Sequence, residues 1–154
     1  MDRSLIEQYA AGADAPRKGI EGLTRAELNA TPVPGTWSIQ QIVTHLLDSD
    51  LIASHRMKRI IAEENPLIIG YNETRFAEKL YYPEMDAGLV CDLFALNRRL
   101  TADILRRLPV EAFERSGVHN ERGRVTLADM VKMYVDHVPH HMKFLDKKRK
   151  MLGK

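Results

Sequence analysis

At 154 residues, with 44% hydrophobic and 29% charged residues, the chain has the size and balance of one globular domain with a sizeable core, which excludes a disordered segment. A formal net charge of +2 is too small for a nucleic-acid grip, and the densest basic run, Lys147-Lys148-Arg149-Lys150, reads as a solvated helix end whose cations suit the macrodipole. The single cysteine, Cys91, excludes an internal disulfide framework, and the absence of any run of about 18 apolar residues leads us to expect a cytoplasmic protein with no membrane partner.

In chain order, residues 4–22 place Leu5, Ile6, Tyr9, Ala10 and Ala13, followed by Ile20 and Leu23, at helical spacing interrupted near Gly12 and Pro16, which predicts a bent or two-piece first helix. Thr31-Pro32-Val33-Pro34-Gly35-Thr36 is a turn-rich connector, and Ser38 after Trp37 can cap the next helix. That second helix is expected over residues 39–63, where Ile39, Ile42, Val43, Leu46, Ala53, Met57, Ile60 and Ile61 fall within about 100° on a wheel. His45 lies at the edge of that stripe and His55 almost opposite it, so His45 is the better candidate for a buried site. Asp50 lands close to the middle of the stripe, where a carboxylate needs a hydrogen bond or a charge partner; a backbone donor or a helix end would satisfy it as well as a ligand would.

Asn65-Pro66 ends the second helix, and residues 67–86 form a long connection whose Tyr71, Phe76, Tyr81 and Tyr82 argue that it packs down, with a short helix over 73–80. The third helix, residues 86–108, carries Leu89, Leu93, Leu96, Leu100 and Ile104 as its expected core stripe, with Cys91 off the stripe and no base beside it. Ile52, Phe94 and Leu105 then fall outside the main stripes and suit either a dimer surface or a contact with the long connection. Residues 116–125 read as a short hairpin, and Thr126 caps a last helix whose core face is Leu127, Met130, Val131, Tyr134, Val138, Met142 and Leu145. Helical patterns of this length with almost no period-two stretches predict an all-α four-helix bundle, one domain over 1–154, with a long packed connection between helices 2 and 3.

The last helix holds the stretch with most chemistry, His137-Val138-Pro139-His140-His141. His137 and His141, four apart, are offset by about 40° with a rise of about 6 Å and project from one flank of the core face, whereas His140 points away. Such a pair either chelates a metal or merely decorates a polar face. His45 would supply a third neutral nitrogen, leaving a fourth position for water or substrate. Pro139 between them removes one helical hydrogen bond and is expected to kink the helix. There is no His-Glu-x-x-His, no Glu-x-x-His, no cysteine cluster and no nucleophile elbow. Arg56, near His45 on the wheel, reads first as an exposed arginine in a surface ion pair and second as a group steering an anionic substrate, and Tyr71 and His119 are candidates for the mouth of a pocket.

Pro34-Gly35-Thr36-Trp37-Ser38-Ile39, then His45-Leu46-Leu47-Asp48-Ser49, then His137-Val138-Pro139-His140-His141, in that order, resemble the DinB/YfiT-like superfamily. The likeness extends to Leu5-Ile6-Glu7-Gln8-Tyr9 and to Tyr71-Asn72-Glu73. It implies an up-down-down-up bundle, often a homodimer, with a divalent metal, commonly zinc or nickel, on His45, His137 and His141. It further implies a small-molecule substrate. Superfamily members include transferases of low-molecular-weight thiols, thiol-dependent isomerases and metal-dependent hydrolases, so the expected function is a thiol S-transferase or a hydrolase. The alternative is a non-catalytic metal-binding bundle acting in binding or stress response.

Overall fold

The computed structural model describes residues 2–154. Its first helical stretch is in two pieces, α1 (Ser4–Ala11) and α2 (Ala15–Ile20), joined by a tight turn at Gly12–Asp14, with Pro16 in the first turn of α2, where its missing N–H costs nothing. A short helix, α3 (Arg25–Asn29), comes next; its Thr24/Glu27 capping box is visible in the sequence but adjoins too short an apolar pattern to announce a helix. The long helix α4 (Ile39–Ala62) starts at a Ser38/Gln41 capping box, and Ile39, Val43, Leu46, Ala53, Met57 and Ile60 are buried along it as the periodicity predicts. The connection after it contains a two-residue strand, β1 (Leu67–Ile68), and the helix α5 (Glu73–Lys79) capped by Asn72. Then come α6 (Ala87–Arg107), the hairpin β2 (Ser116–His119) and β3 (Gly123–Thr126), and α7 (Leu127–Met151), which opens on a Thr126/Asp129 capping box. Strand β1 pairs parallel with β2, tying the connection to the hairpin.

Contacts fix the direction of each helix. Glu7 pairs with Arg106 and Asp14 with Arg99, so α1 runs antiparallel to α6. Asp50 meets Asn97 and Arg98, while Ile42 and Leu46 share a cluster with Val90 and Phe94, and Met57 and Ile60 share another with Ala102 and Leu105. Helices α4 and α6 are therefore parallel, which is why a long crossover must join them. Ser49 opposite Tyr134 and His45 opposite His137 make α7 antiparallel to α4. The order is up, down, down, up.

One expected stripe is on the wrong face. Leu89, Leu93, Leu96 and Leu100 are 59%, 46%, 60% and 57% exposed, while Val90, Cys91, Phe94, Ala95, Thr101, Ala102 and Leu105 are buried. Phe94 and Leu105 are thus core residues and cannot line a dimer surface, and Cys91 is a buried thiol pushed up to about 11 by that burial. The cause is Arg98, 1% exposed, which turns this face of α6 inward. Its Nε donates to Asp50 Oδ1 at 2.9 Å, its Nη1 to the Tyr9 carbonyl at 2.9 Å and its Nη2 to the Tyr134 carbonyl at 2.6 Å, joining α1, α4, α6 and α7 in one cluster. Gly12 is required beside it: a Cβ there would stand 2.7 Å from Arg98 Nη1. Helix α7 continues through Pro139 without a break. Among the described residues no helix is long and apolar enough to cross a membrane.

Candidate metal centre

The antiparallel packing of α4 on α7 sets His45 against the i,i+4 pair of α7, and the ligand atoms of His45, His137 and His141 all lie within 4.8 Å of one another. His45 Nε2 and His137 Nε2 are 3.4 Å apart. Ligand atoms at the corners of a tetrahedron with bonds of about 2.1 Å are separated by about 3.4 Å, so this edge already has the spacing of two ligands on one ion. His45 is 1% exposed and is bracketed by the Trp37 ring at 4.9 Å and the His141 ring at 4.7 Å between centroids. His45 Nδ1 is buried with no hydrogen-bond partner.

Burial lowers all three imidazoles from the ordinary 6.5: His45 to about 4, His137 to about 3 and His141 to about 4. Repulsion from neighbouring cations adds to the effect: from His141 on His45, from His140 on His141, and most on His137, which faces His141, His45 and Arg98. All three are neutral at pH 7, the state in which imidazole offers a lone pair to a metal. His140 is exposed; its ring lies edge-on to both His141 and Phe144, each at 5.1 Å between centroids, and is not one of the converging ligands. This donor set, neutral and convergent, fits a divalent transition metal.

His137 also lines a cavity of about 610 Å³ that opens beside the cluster, shared with Ser49, Arg56, Tyr71, Glu73, His119 and Tyr134. Arg56, Tyr71 and His119 thus line one cavity. Asp50 does not: it is held in the bundle core by Arg98, Asn97 and Tyr9 and is absent from the cavity wall, because a carboxylate in the centre of an apolar stripe finds its partner inside the bundle. Burial pushes the Tyr71 phenol up to about 12, and its hydroxyl is buried without a partner. The Ser49 and Tyr134 hydroxyls are 3.2 Å apart. Burial, with the nearby Arg56 charge, lowers His119, whose Nδ1 accepts the Glu121 N–H. His141 faces the other way, into an apolar hollow of about 340 Å³ shared with Trp37 and Phe144.

Two contributors do not emerge from the sequence. Glu73 brings Oε2 to 3.7 Å from His45 Nε2 from the first turn of α5, with its side chain 58% exposed at the mouth of the cavity. Trp37 covers His45. The signal for Glu73 is its place after Tyr71-Asn72 in a packed connection, but its proximity to a residue 28 positions away depends on the path of the crossover.

A protein of Oceanobacillus iheyensis named "Putative metal-dependent hydrolase" is 31% identical over 132 residues, covering 84% of this chain and 76% of its own. A Bacillus cereus protein of the same name is 32% identical over 140 residues, covering 88% of this chain and 78% of its own. Among solved structures, YfiT from Bacillus subtilis, described as "a probable metal-dependent hydrolase with an unusual four-helix bundle topology", superposes with a TM-score of 0.91 at 24% identity over 97% of this chain and 86% of that one. A mycothiol-dependent maleylpyruvate isomerase shares the fold at a TM-score of 0.70 and 15% identity, over 90% of this chain and 58% of that one. The family model of the DinB superfamily matches residues 8–145, and the chain belongs to that superfamily.

Proposed function

We propose that the protein is a metal-dependent hydrolase in which His45, His137 and His141 hold one divalent transition metal, zinc or nickel, facing the polar cavity. The observation that carries this reading is the convergence of three neutral imidazoles, their ligand atoms within 4.8 Å of one another, beside a cavity of about 610 Å³. A metal bound there supplies Lewis acidity, which makes a bound water or thiol nucleophilic near neutral pH. The protein's own groups do the rest. Glu73, at 3.7 Å from His45, is placed to take the proton given up by the nucleophile and return it to the leaving group. The Tyr71 hydroxyl, which keeps its proton well above pH 7, is free to donate to a substrate oxygen. The hydroxyls of Ser49 and Tyr134 occupy each other and present a fixed polar wall.

A second reading uses the same residues with a low-molecular-weight thiol as co-substrate, and the fold shared with the mycothiol-dependent isomerase favours it. Zinc- or nickel-loaded protein should be assayed against a panel of carboxylic esters and amides, alone and then with a thiol panel and monobromobimane. Cleavage without thiol, abolished by chelator and by His137→Ala, supports the hydrolase. Loss of one thiol per electrophile with no thiol-free cleavage supports the transferase. Neither activity from metal-loaded protein leaves a non-catalytic metal-binding bundle.

We propose also that two copies pair through the exposed face of α6. Leu89, Leu93, Leu96 and Leu100 have the four-three-four spacing at which two helices interleave, and a two-fold pairing uses one such patch twice. Sedimentation equilibrium should give a dimer for the natural chain and a monomer for Leu93→Lys/Leu96→Lys; a monomeric natural chain would refute the pairing.

A further inference from the structure

The cavity wall contains a buried cation with no counter-ion. Arg56 is 8% exposed; its Nη2 donates to the Ile69 carbonyl at 2.6 Å, and its Nε is buried with no partner. No ion pair reaches it among the described residues, whereas the more deeply buried Arg98 is matched by Asp50, and Arg59, next to Arg56 along α4, closes on Glu63. A guanidinium keeps its charge at any physiological pH, and an unmatched buried charge is costly to maintain. The fold therefore holds a preformed anion-binding group, not an ordinary surface arginine.

We propose that the cavity takes substrates bearing a single carboxylate, which the Arg56 guanidinium lining the cavity binds while the bond to be broken lies toward His45 and His137. This rests on reading the three histidines as the reaction centre. One buried cation matches one negative charge; a phosphate dianion would bring a second with no buried partner. Glu73 and Glu121 stand at the exposed rim without reaching Arg56, and Arg122, also at the rim, adds positive charge there. Val125, Met130 and Met133 give the same cavity an apolar wall for a carbon skeleton. Arg56 lies eleven residues beyond His45 on α4, about 16 Å along the axis, and helical side chains lean back toward the N-terminus. The carboxylate and the reacting group are thus several bonds apart in the substrate.

The arginine Nε–H resonances of the zinc-loaded, nitrogen-15-labelled chain should be followed while benzoate, benzamide or inorganic phosphate is added. Benzoate should shift the Arg56 signal saturably, benzamide should not, and phosphate should bind more weakly than benzoate. Benzoate affinity measured by calorimetry should fall at least tenfold in Arg56→Gln and partly recover in Arg56→Lys, which keeps the charge. No saturable benzoate shift, tighter binding of phosphate, or unchanged benzoate affinity in a folded Arg56→Gln chain would each overturn the proposal. The benzoate shift should persist in His45→Ala. Since none of these signals needs turnover, a retained shift in a chain without hydrolytic activity rejects the hydrolase reading alone, and a lost shift in an active chain rejects the carboxylate site alone.

Discussion

Glu73 and Asp50 are both acidic residues near α4, yet their surroundings assign them opposite tasks. Glu73 is solvent-exposed and its one ion-pair contact among the described residues is with His45, so Glu73→Gln should leave folding and metal content unchanged while lowering kcat by about 10²- to 10⁴-fold, the usual range for a lost general base. Steady-state kinetics with metal analysis checks this, and a loss of metal instead would make Glu73 a ligand. Asp50 is 1% exposed and balances Arg98 at 2.9 Å. Asp50→Ala should cost about 3–5 kcal/mol in urea unfolding, because it strands a buried cation, and should not change the order of activity among substrates. At this scale the histidines were legible, since i,i+4 spacing is a property of one helix. Asp50 was legible only as a need: its position called for a partner, but Arg98 lies 48 residues away and nothing local to either residue announces the pair.

Helices α4 and α7 are read correctly from their periodicity and caps because each has one dominant apolar face, and the structure buries that face. Helix α6 has two. Leucines at 89, 93, 96 and 100 outrank the smaller and more polar set around Cys91, Ala95, Arg98 and Ala102 on any hydrophobicity wheel, yet the second set is buried, because close approach to α4 selects small residues and the Arg98 cluster fixes the rotation. Phe94→Ala should therefore destabilise a single subunit by about 3–5 kcal/mol, whereas Leu96→Ala should cost less than about 1 kcal/mol at concentrations where subunits do not associate. Equilibrium unfolding of both variants decides it, and the reverse ranking would return the leucine stripe to the core. Strand β1 and the approach of Glu73 and Tyr71 to the histidines were beyond the sequence for a different reason: they depend on how the crossover travels between two parallel helices, which is a long-range property.

For the whole molecule, the buried histidines make stability depend on pH in a defined window. In the metal-free protein the unfolded chain takes up protons on His45, His137 and His141 near 6.5, but the folded one only near 3 to 4. Between these values the unfolded state binds more protons, so stability is present above about 6.5 and is lost as the pH falls through the window. Carboxylates held low, such as Glu27 at about 2, act only below their ordinary 4.5 and leave the upper part of the window, from 6.5 to 4.5, to the histidines. Calorimetry in chelator should show Tm falling from pH 7 to pH 5 by about 15 °C, for a loss on the order of 5 kcal/mol. A flat profile would mean that the cluster is already solvated or protonated in the fold.

The three-histidine centre is tested most directly by the metal stoichiometry and affinity of the purified chain, measured by elemental analysis and calorimetric titration with zinc and nickel at pH 7. The expected result is one ion per chain, with binding weakened at least a hundredfold in each of His45→Ala, His137→Ala and His141→Ala and unchanged in His140→Ala. Binding of neither metal, or equal binding by the folded His45→Ala and His140→Ala variants, would contradict it.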